Sequence, residues 1–148
     1  MNTELYNTYF NNLSATVDLR QFSKEFINHQ LKSKIIHLFG KGNKGKSTLI
    51  KLLSQIVPVT FIDLRSLNLD ALPDSYLIVP EQCEPWDMDF WIPVLLTSNN
   101  TFIFISNHKL PENELVCQIE FTAFVNDPNM ETKMCEDIDG LKTFINSY

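Results

Sequence analysis

The chain has 148 residues, 44% of them hydrophobic and 20% charged, with a formal net charge of −6. That length fits one compact domain with its own core, and the composition is that of a soluble globular chain rather than a disordered one. No apolar run approaches the roughly 18–20 residues of a membrane span, and the acidic balance argues against a protein that grips nucleic acid over a broad basic face. Most of the basic residues fall between Lys24 and Lys51, so any contact with a nucleic-acid backbone would be local. The opening "MNTELYNTYFNNL" lacks the basic start and apolar core of a secretory signal. Cys83, Cys117 and Cys135 are odd in number and have no C-x-x-C spacing, which argues against a disulfide framework or a zinc site and for a reducing compartment.

In chain order, residues 1–33 read as a helical lead-in. Within it, "DLRQFSKEFINHQLKSK" (18–34) carries Leu19, Phe22, Phe26, Ile27 and Leu31 at helical spacing, with Asp18 as N-cap. "KIIHLF" (34–39) is a short apolar run rich in β-formers, expected as a buried strand. "KSTLIKLLSQI" (46–56) predicts a helix that stops before Pro58. "VTFIDL" (59–64) and "SYLIV" (75–79) predict strands, with a short helical turn at "SLNLDAL" between them.

Residues 87–98, "DMDFWIPVLLTS", predict a helix interrupted by Pro93. "NNTFIFIS" (99–106) opens on turn residues and runs into a strand. "QIEFTAFV" (118–125) alternates Ile119, Phe121, Ala123 and Val125, as in a strand with one buried face. A helical tail, 128–148, closes the chain. Strands alternating with helices, each strand nearly all apolar, predict an α/β fold: a mainly parallel sheet flanked by helices on both faces.

Between the first such strand and its helix lies "GKGNKGKS", which fits G-x-x-x-x-G-K-[ST] with Gly40, Gly45, Lys46 and Ser47 at the defining positions. Glycines let the backbone curl so that its N–H groups form a nest for phosphate oxygens. The helix after the loop offers unpaired N–H groups and the positive end of its dipole. Lys46 has the reach for the outer phosphates, and Ser47 has a hydroxyl for Mg²⁺. The expected nucleotide contacts are therefore Gly40, Lys41, Gly42, Asn43, Lys44, Gly45, Lys46, Ser47 and Thr48. Strand, loop and helix in that order are the context the motif requires.

Hydrolysis needs a carboxylate at the end of a nearby strand to orient the metal or the attacking water. Glu81, just beyond "SYLIV", is the preferred residue, as a catalytic group and as a metal ligand with Ser47. Asp63, ending "VTFIDL", is the second candidate, although a capping role suits it better. Asn107, just beyond "TFIFIS", is placed to bond the terminal phosphate or the water, because ligands in such folds collect at the carboxyl ends of the strands. His37 reads as a satisfied core histidine, His108 adjoins Asn107, and "WDMDFW" (86–91) reads as a helix edge.

Taken together, "GKGNKGKS", "YLIVPEQ", "FIFISNHKLP" and "ELVCQIEFTAFV" resemble the superfamily 3 helicase domain of small-virus replication proteins, over roughly residues 34–127. The resemblance implies a three-layer P-loop NTPase core of AAA+ type. It also implies a catalytic set of Lys46, Glu81 and Asn107, with Asn107 as the sensor asparagine, and ATP and Mg²⁺ as the bound groups. A homo-oligomeric ring, often a hexamer, with single-stranded nucleic acid as partner would go with it, in the host nucleus or cytoplasm if the protein is viral, and with no membrane partner.

Three departures qualify that expectation. "CEPWDMDFWIPVLLTSNN" contains no lysine or arginine where the family carries a nucleic-acid hairpin. Gln118 stands where an arginine is used on the neighbouring subunit's nucleotide, and no arginine occurs after Arg65. The acidic motif is reduced to Glu81 behind Pro80. An arginine supplied in trans accelerates hydrolysis about 10³–10⁵-fold, so the expectation is a slow ATPase unless a lysine such as Lys109 substitutes. Two alternatives remain: a nucleotide-dependent assembly module without motor activity, and a small P-loop kinase. Two arginines in total count against the kinase.

Overall fold

Three largely apolar pentads form the centre of the molecule. The computed structural model describes residues 2–42, 45–80, 87–125 and 127–148, and in it these pentads are strands β2 (Ile35–Phe39), β4 (Tyr76–Pro80) and β5 (Phe102–Ser106). All of β2 is buried, as are the first four residues of β4 and of β5. This is the pattern of parallel strands covered on both faces.

Among the described residues, six strands make one sheet in the order β1-β6-β2-β5-β4-β3, with β1 at Leu13–Ala15, β3 at Val59–Phe61 and β6 at Val116–Phe124. Every pairing is parallel except β1 with β6. Strand β1 falls within the segment read from sequence as helical. It is three residues long, too short for its alternation to register.

Side-chain alternation sorts the sheet into two unequal faces. One packs Ile36, Leu38, Ile78, Ile103, Ile105, Ile119 and Phe121 beneath five helices: α1 (Thr3–Asn11), α2 (Leu19–Ile27), α3 (Lys46–Leu53), α5 (Pro128–Cys135) and α6 (Ile138–Asn146). The other packs Ile35, Leu77, Val79, Phe102 and Phe104 beneath Ile92 and Leu95 of α4 (Asp87–Leu95), Leu64 of a short 3-10 turn, and Leu110.

Long-range bonds tie the helical layer together. Tyr76 stacks on Phe26 with centroids 4.1 Å apart, and its hydroxyl donates to the Phe26 carbonyl at 2.6 Å. The Tyr6 hydroxyl donates to Asp137 Oδ2 at 2.7 Å; burial first, then that carboxylate, push its pKa up to about 12. Arg20 lies 3.7 Å from the centroid of the Phe144 ring and 4.6 Å from that of Tyr148, and donates to the Phe144 carbonyl at 2.7 Å.

Two elements depart from expectation for identifiable reasons. Helix α2 stops at Ile27 rather than running to residue 34. His29 adopts φ 55°, with His29 N–H bonding the Phe26 carbonyl and Gln30 N–H the Glu25 carbonyl. These paired bonds close the helix as a Schellman motif, with histidine in the position glycine usually takes.

In β6 the expected alternation holds only through Phe121. Ala15 pairs with Phe121, but Ser14 pairs with Ala123, a register shift that leaves Thr122 as the extra residue. Such a bulge reverses the facing of the residues beyond it. Ala123 and Val125 are consequently exposed, while Phe124 packs on the core. Among the described residues, no helix is long and apolar enough to cross a membrane.

Candidate phosphate-binding site

Strand β2 is flanked by β5 on one side and β6 on the other. Register aligns the strand ends: Phe39 lies beside Ser106, and Ile105 beside Pro80. The phosphate loop, Asn107 and the chain leaving β4 therefore start at one edge of the sheet. Strand β5 stands between the other two, so the turn carrying Asn107 begins between the loop and the end of β4.

The loop leaves β2 across the top of β6. A Cβ at Gly40 would collide with the Phe121 carbonyl oxygen, so only glycine lets the chain pass this close. At the other end, Gly45 has φ 88°, and a Cβ there would meet the side chains of Leu13 and Phe124. Both defining glycines are thus required by the packing of the loop on β1 and β6.

Helix α3 begins immediately after Gly45, which provides no side-chain cap. The contrast with the other helices is direct. Asn2, Asp18, Asp127 and Asp137 cap α1, α2, α5 and α6, each accepting a bond from a first-turn amide. At the start of α3 the residue in that position, Gly45, brings no side-chain bond to the first-turn amides. Those amides carry the positive end of the helix dipole.

Lys46 is buried, at 5% exposure. Its Nζ donates to the Gly40 carbonyl at 2.5 Å and the Gly42 carbonyl at 3.2 Å, so the ammonium is folded back across the loop. Ser47 is exposed, and Thr48 is half-buried. Lys41 and Gly42 are exposed at the outer bend. A groove of about 460 Å³ opens between α3 and α5, with Thr48, Leu52, Pro128 and Thr132 in its walls. Asn43 and Lys44 lie outside the described residues.

Asn107 is exposed directly after β5, and its side chain makes no hydrogen bond to another described residue. Glu81 lies outside the described residues, as do Cys83 and Trp86; Pro80, which precedes Glu81, ends β4. Asp63 takes the capping role favoured for it. Its Oδ1 accepts the Arg65 amide at 2.9 Å, and it pairs with the Arg65 guanidinium at 3.5 Å. Cys117 and Cys135 are free thiols, and among the described residues no cluster of His, Cys, Asp and Glu could hold a metal.

No known family model matches this sequence, and no curated protein does. The functional reading therefore rests on the residues themselves.

Sequence reasoning did not anticipate the polar chain beneath the site. His37 is fully buried in β2, and its Nε2 lies 2.6 Å from Ser106 Oγ. Gln118 Nε2 lies 3.5 Å from His37 Nδ1 and donates to the Leu110 carbonyl at 2.9 Å. Burial lowers the His37 pKa to about 4, so the ring is neutral at physiological pH. The signal was present as a single polar residue in each of two otherwise apolar strands, His37 in β2 and Ser106 in β5, while Gln118 is one of three polar residues in β6. Their mutual adjacency, however, depends on a strand order that sequence does not supply.

Proposed function

We propose that the chain is an ATP-binding P-loop domain of AAA+ type that hydrolyses ATP slowly with Mg²⁺. The observation that carries this reading is the placement of the loop: Gly40 and Gly45 hold it at the end of a fully buried strand and against the start of α3, with Lys46 folded across it. The start of a helix in this setting, with its dipole's positive end turned to the loop, favours an anion.

The residues suit a nucleoside triphosphate. The amides at the start of α3 would hold phosphate oxygens. Lys46 would exchange its two loop carbonyls for the outer phosphates, staying within the same short reach. The Ser47 hydroxyl and the Glu81 carboxylate would hold Mg²⁺, which when bound supplies charge neutralisation between the outer phosphates. Glu81 would also orient the attacking water, and Asn107 would bond the terminal phosphate from the turn beyond β5. The groove beside Thr48 offers a partly apolar wall to the base and ribose.

A second reading, nucleotide-dependent assembly without motor activity, is favoured by the fate of the arginines. Arg20 is engaged by Phe144 and Tyr148 on the helical layer, and Arg65 pairs with Asp63. Gln118, where the resembling family carries an arginine, donates to the Leu110 carbonyl and faces His37. A ring-forming helicase remains the most distant extension of this reading.

Steady-state ATP hydrolysis tests the catalytic part. The wild type should turn over slowly and only with Mg²⁺. Glu81→Gln should lose about a hundredfold or more, the scale of a positioned catalytic base, while nucleotide binding persists. Equal rates for the two proteins would assign the chain to the assembly module.

A further inference from the structure

The polar chain across β6, β2 and β5 has a direction that can be worked out from its donors. Ser106 has one hydroxyl proton, and Oγ lies 2.7 Å from the His108 carbonyl, which can only accept. Ser106 Oγ must therefore accept from His37 Nε2, which fixes the neutral tautomer with the proton on Nε2. Nδ1 is then an acceptor, and the group facing it is the Gln118 amide, a donor. The same amide nitrogen has a second proton for the Leu110 carbonyl. Donors and acceptors match along the whole path.

Both ends of this path grip the same segment. The His108 and Leu110 carbonyls flank Lys109 in the turn just after Asn107, and each is held by a side chain rooted in the sheet. The middle member, His37, stands on the strand that ends in the phosphate loop, and its ring stacks on that of Phe39, the last residue before Gly40, with centroids 5.2 Å apart. A buried polar group is costly unless bonded. The fully buried His37, bonded on either side to the half-buried Ser106 and Gln118, makes a rigid connection rather than incidental polarity.

We propose that His37, Ser106 and Gln118 are positioning residues that lock the turn carrying Asn107 to the phosphate-loop strand, fixing where Asn107 stands relative to the terminal phosphate. This rests on the ATP-site reading. It assigns none of the three a contact with nucleotide; they act through Asn107. Ser106 is the closer of the two joints, since it bonds the histidine at 2.6 Å and the His108 carbonyl next to Asn107 at 2.7 Å.

The test compares Ser106→Ala, which removes the joint, with Ser106→Thr, which keeps a hydroxyl. Three measurements are made on each: Mg-dependent ATP hydrolysis, equilibrium binding of a fluorescent ATP analogue, and nitrogen NMR of the His37 ring. In the wild type without nucleotide, the ring proton should sit on Nε2. Ser106→Ala should shift both ring nitrogens, displace the side-chain amide signal of Asn107, and lower kcat about tenfold. KM and analogue affinity should stay within about twofold, because the phosphate loop itself is untouched. Ser106→Thr should restore kcat.

Unchanged kcat and an unmoved Asn107 signal in Ser106→Ala would overturn the proposal while leaving the ATP site intact. Parallel loss of kcat and analogue affinity would also overturn it, by showing a general disturbance of the loop. Absence of analogue binding by the wild type would overturn the ATP-site reading instead. The NMR comparison would then decide alone whether the turn is locked: a proton on Nδ1, or an Asn107 signal indifferent to Ser106, would show that it is not.

Discussion

The two faces of the sheet are built to different standards. One is buried under five helices, four of them with side-chain caps. The other is closed by α4, a 3-10 turn and the segment around Leu110, with Phe90 and Leu115 exposed at 65% and 55%. The helical face holds the scaffold together, whereas the thinner face carries the His37 chain and the turn after Asn107. The helical face also carries α3, whose start meets the phosphate loop, so the site joins the two faces at the strand ends, and loops held on a rigid scaffold are where binding groups usually stand.

Equivalent truncations on the two faces should separate these standards. Leu53 in α3 and Leu95 in α4 are both fully buried. Leu53→Ala should cost about 3–5 kcal/mol, and Leu95→Ala about 2–3 kcal/mol, because a thinly covered site collapses more readily around the cavity. Urea denaturation measures both. Equal losses would contradict the asymmetry.

The second effect probes the thinner face through pH. The His37 pKa is lowered from 6.5 to about 4 by burial, so the unfolded chain binds more protons than the folded one between those values. Stability should be complete above about pH 6.5 and decline as pH falls toward 4, by up to about 3 kcal/mol. His37→Gln should lack that part of the slope. A variant with the same pH dependence as the wild type would place the titration elsewhere.

The smallest effect lies on the helical face. Asp127 accepts the Asn129 and Met130 amides at 3.1 and 3.3 Å. Asp127→Ala should cost about 1 kcal/mol, read as a lowered melting temperature with nucleotide binding unchanged. A loss of binding would connect α5 to the site more tightly than the cap alone explains.

Much of this was legible in the residues, for physical reasons. "IIHLF", "YLIVP" and "FIFIS" are nearly all apolar because parallel strands are buried on both faces. "GKGNKGKS" is recognisable because Gly40 and Gly45 answer local demands, one a close approach and the other a positive φ. Asp18 announced the start of α2, but its end did not announce itself, since His29 takes a backbone conformation that sequence assigns to glycine. β6 misled because a one-residue bulge reversed the facing of Phe124. Strand order was not readable at all, and with it went the meeting of His37, Ser106 and Gln118. Those three residues are ordinary in isolation and acquire a role only when β2 lies between β5 and β6.

The central claim is that the start of α3 is a nucleotide site, and equilibrium titration with Mg·ATP tests it most directly. The wild type should bind saturably at one site per chain. Lys46→Ala should weaken binding at least about tenfold, equal to ~1.4 kcal/mol, with its secondary structure retained. A wild type that does not bind, or a Lys46→Ala variant that binds equally well, would contradict the account.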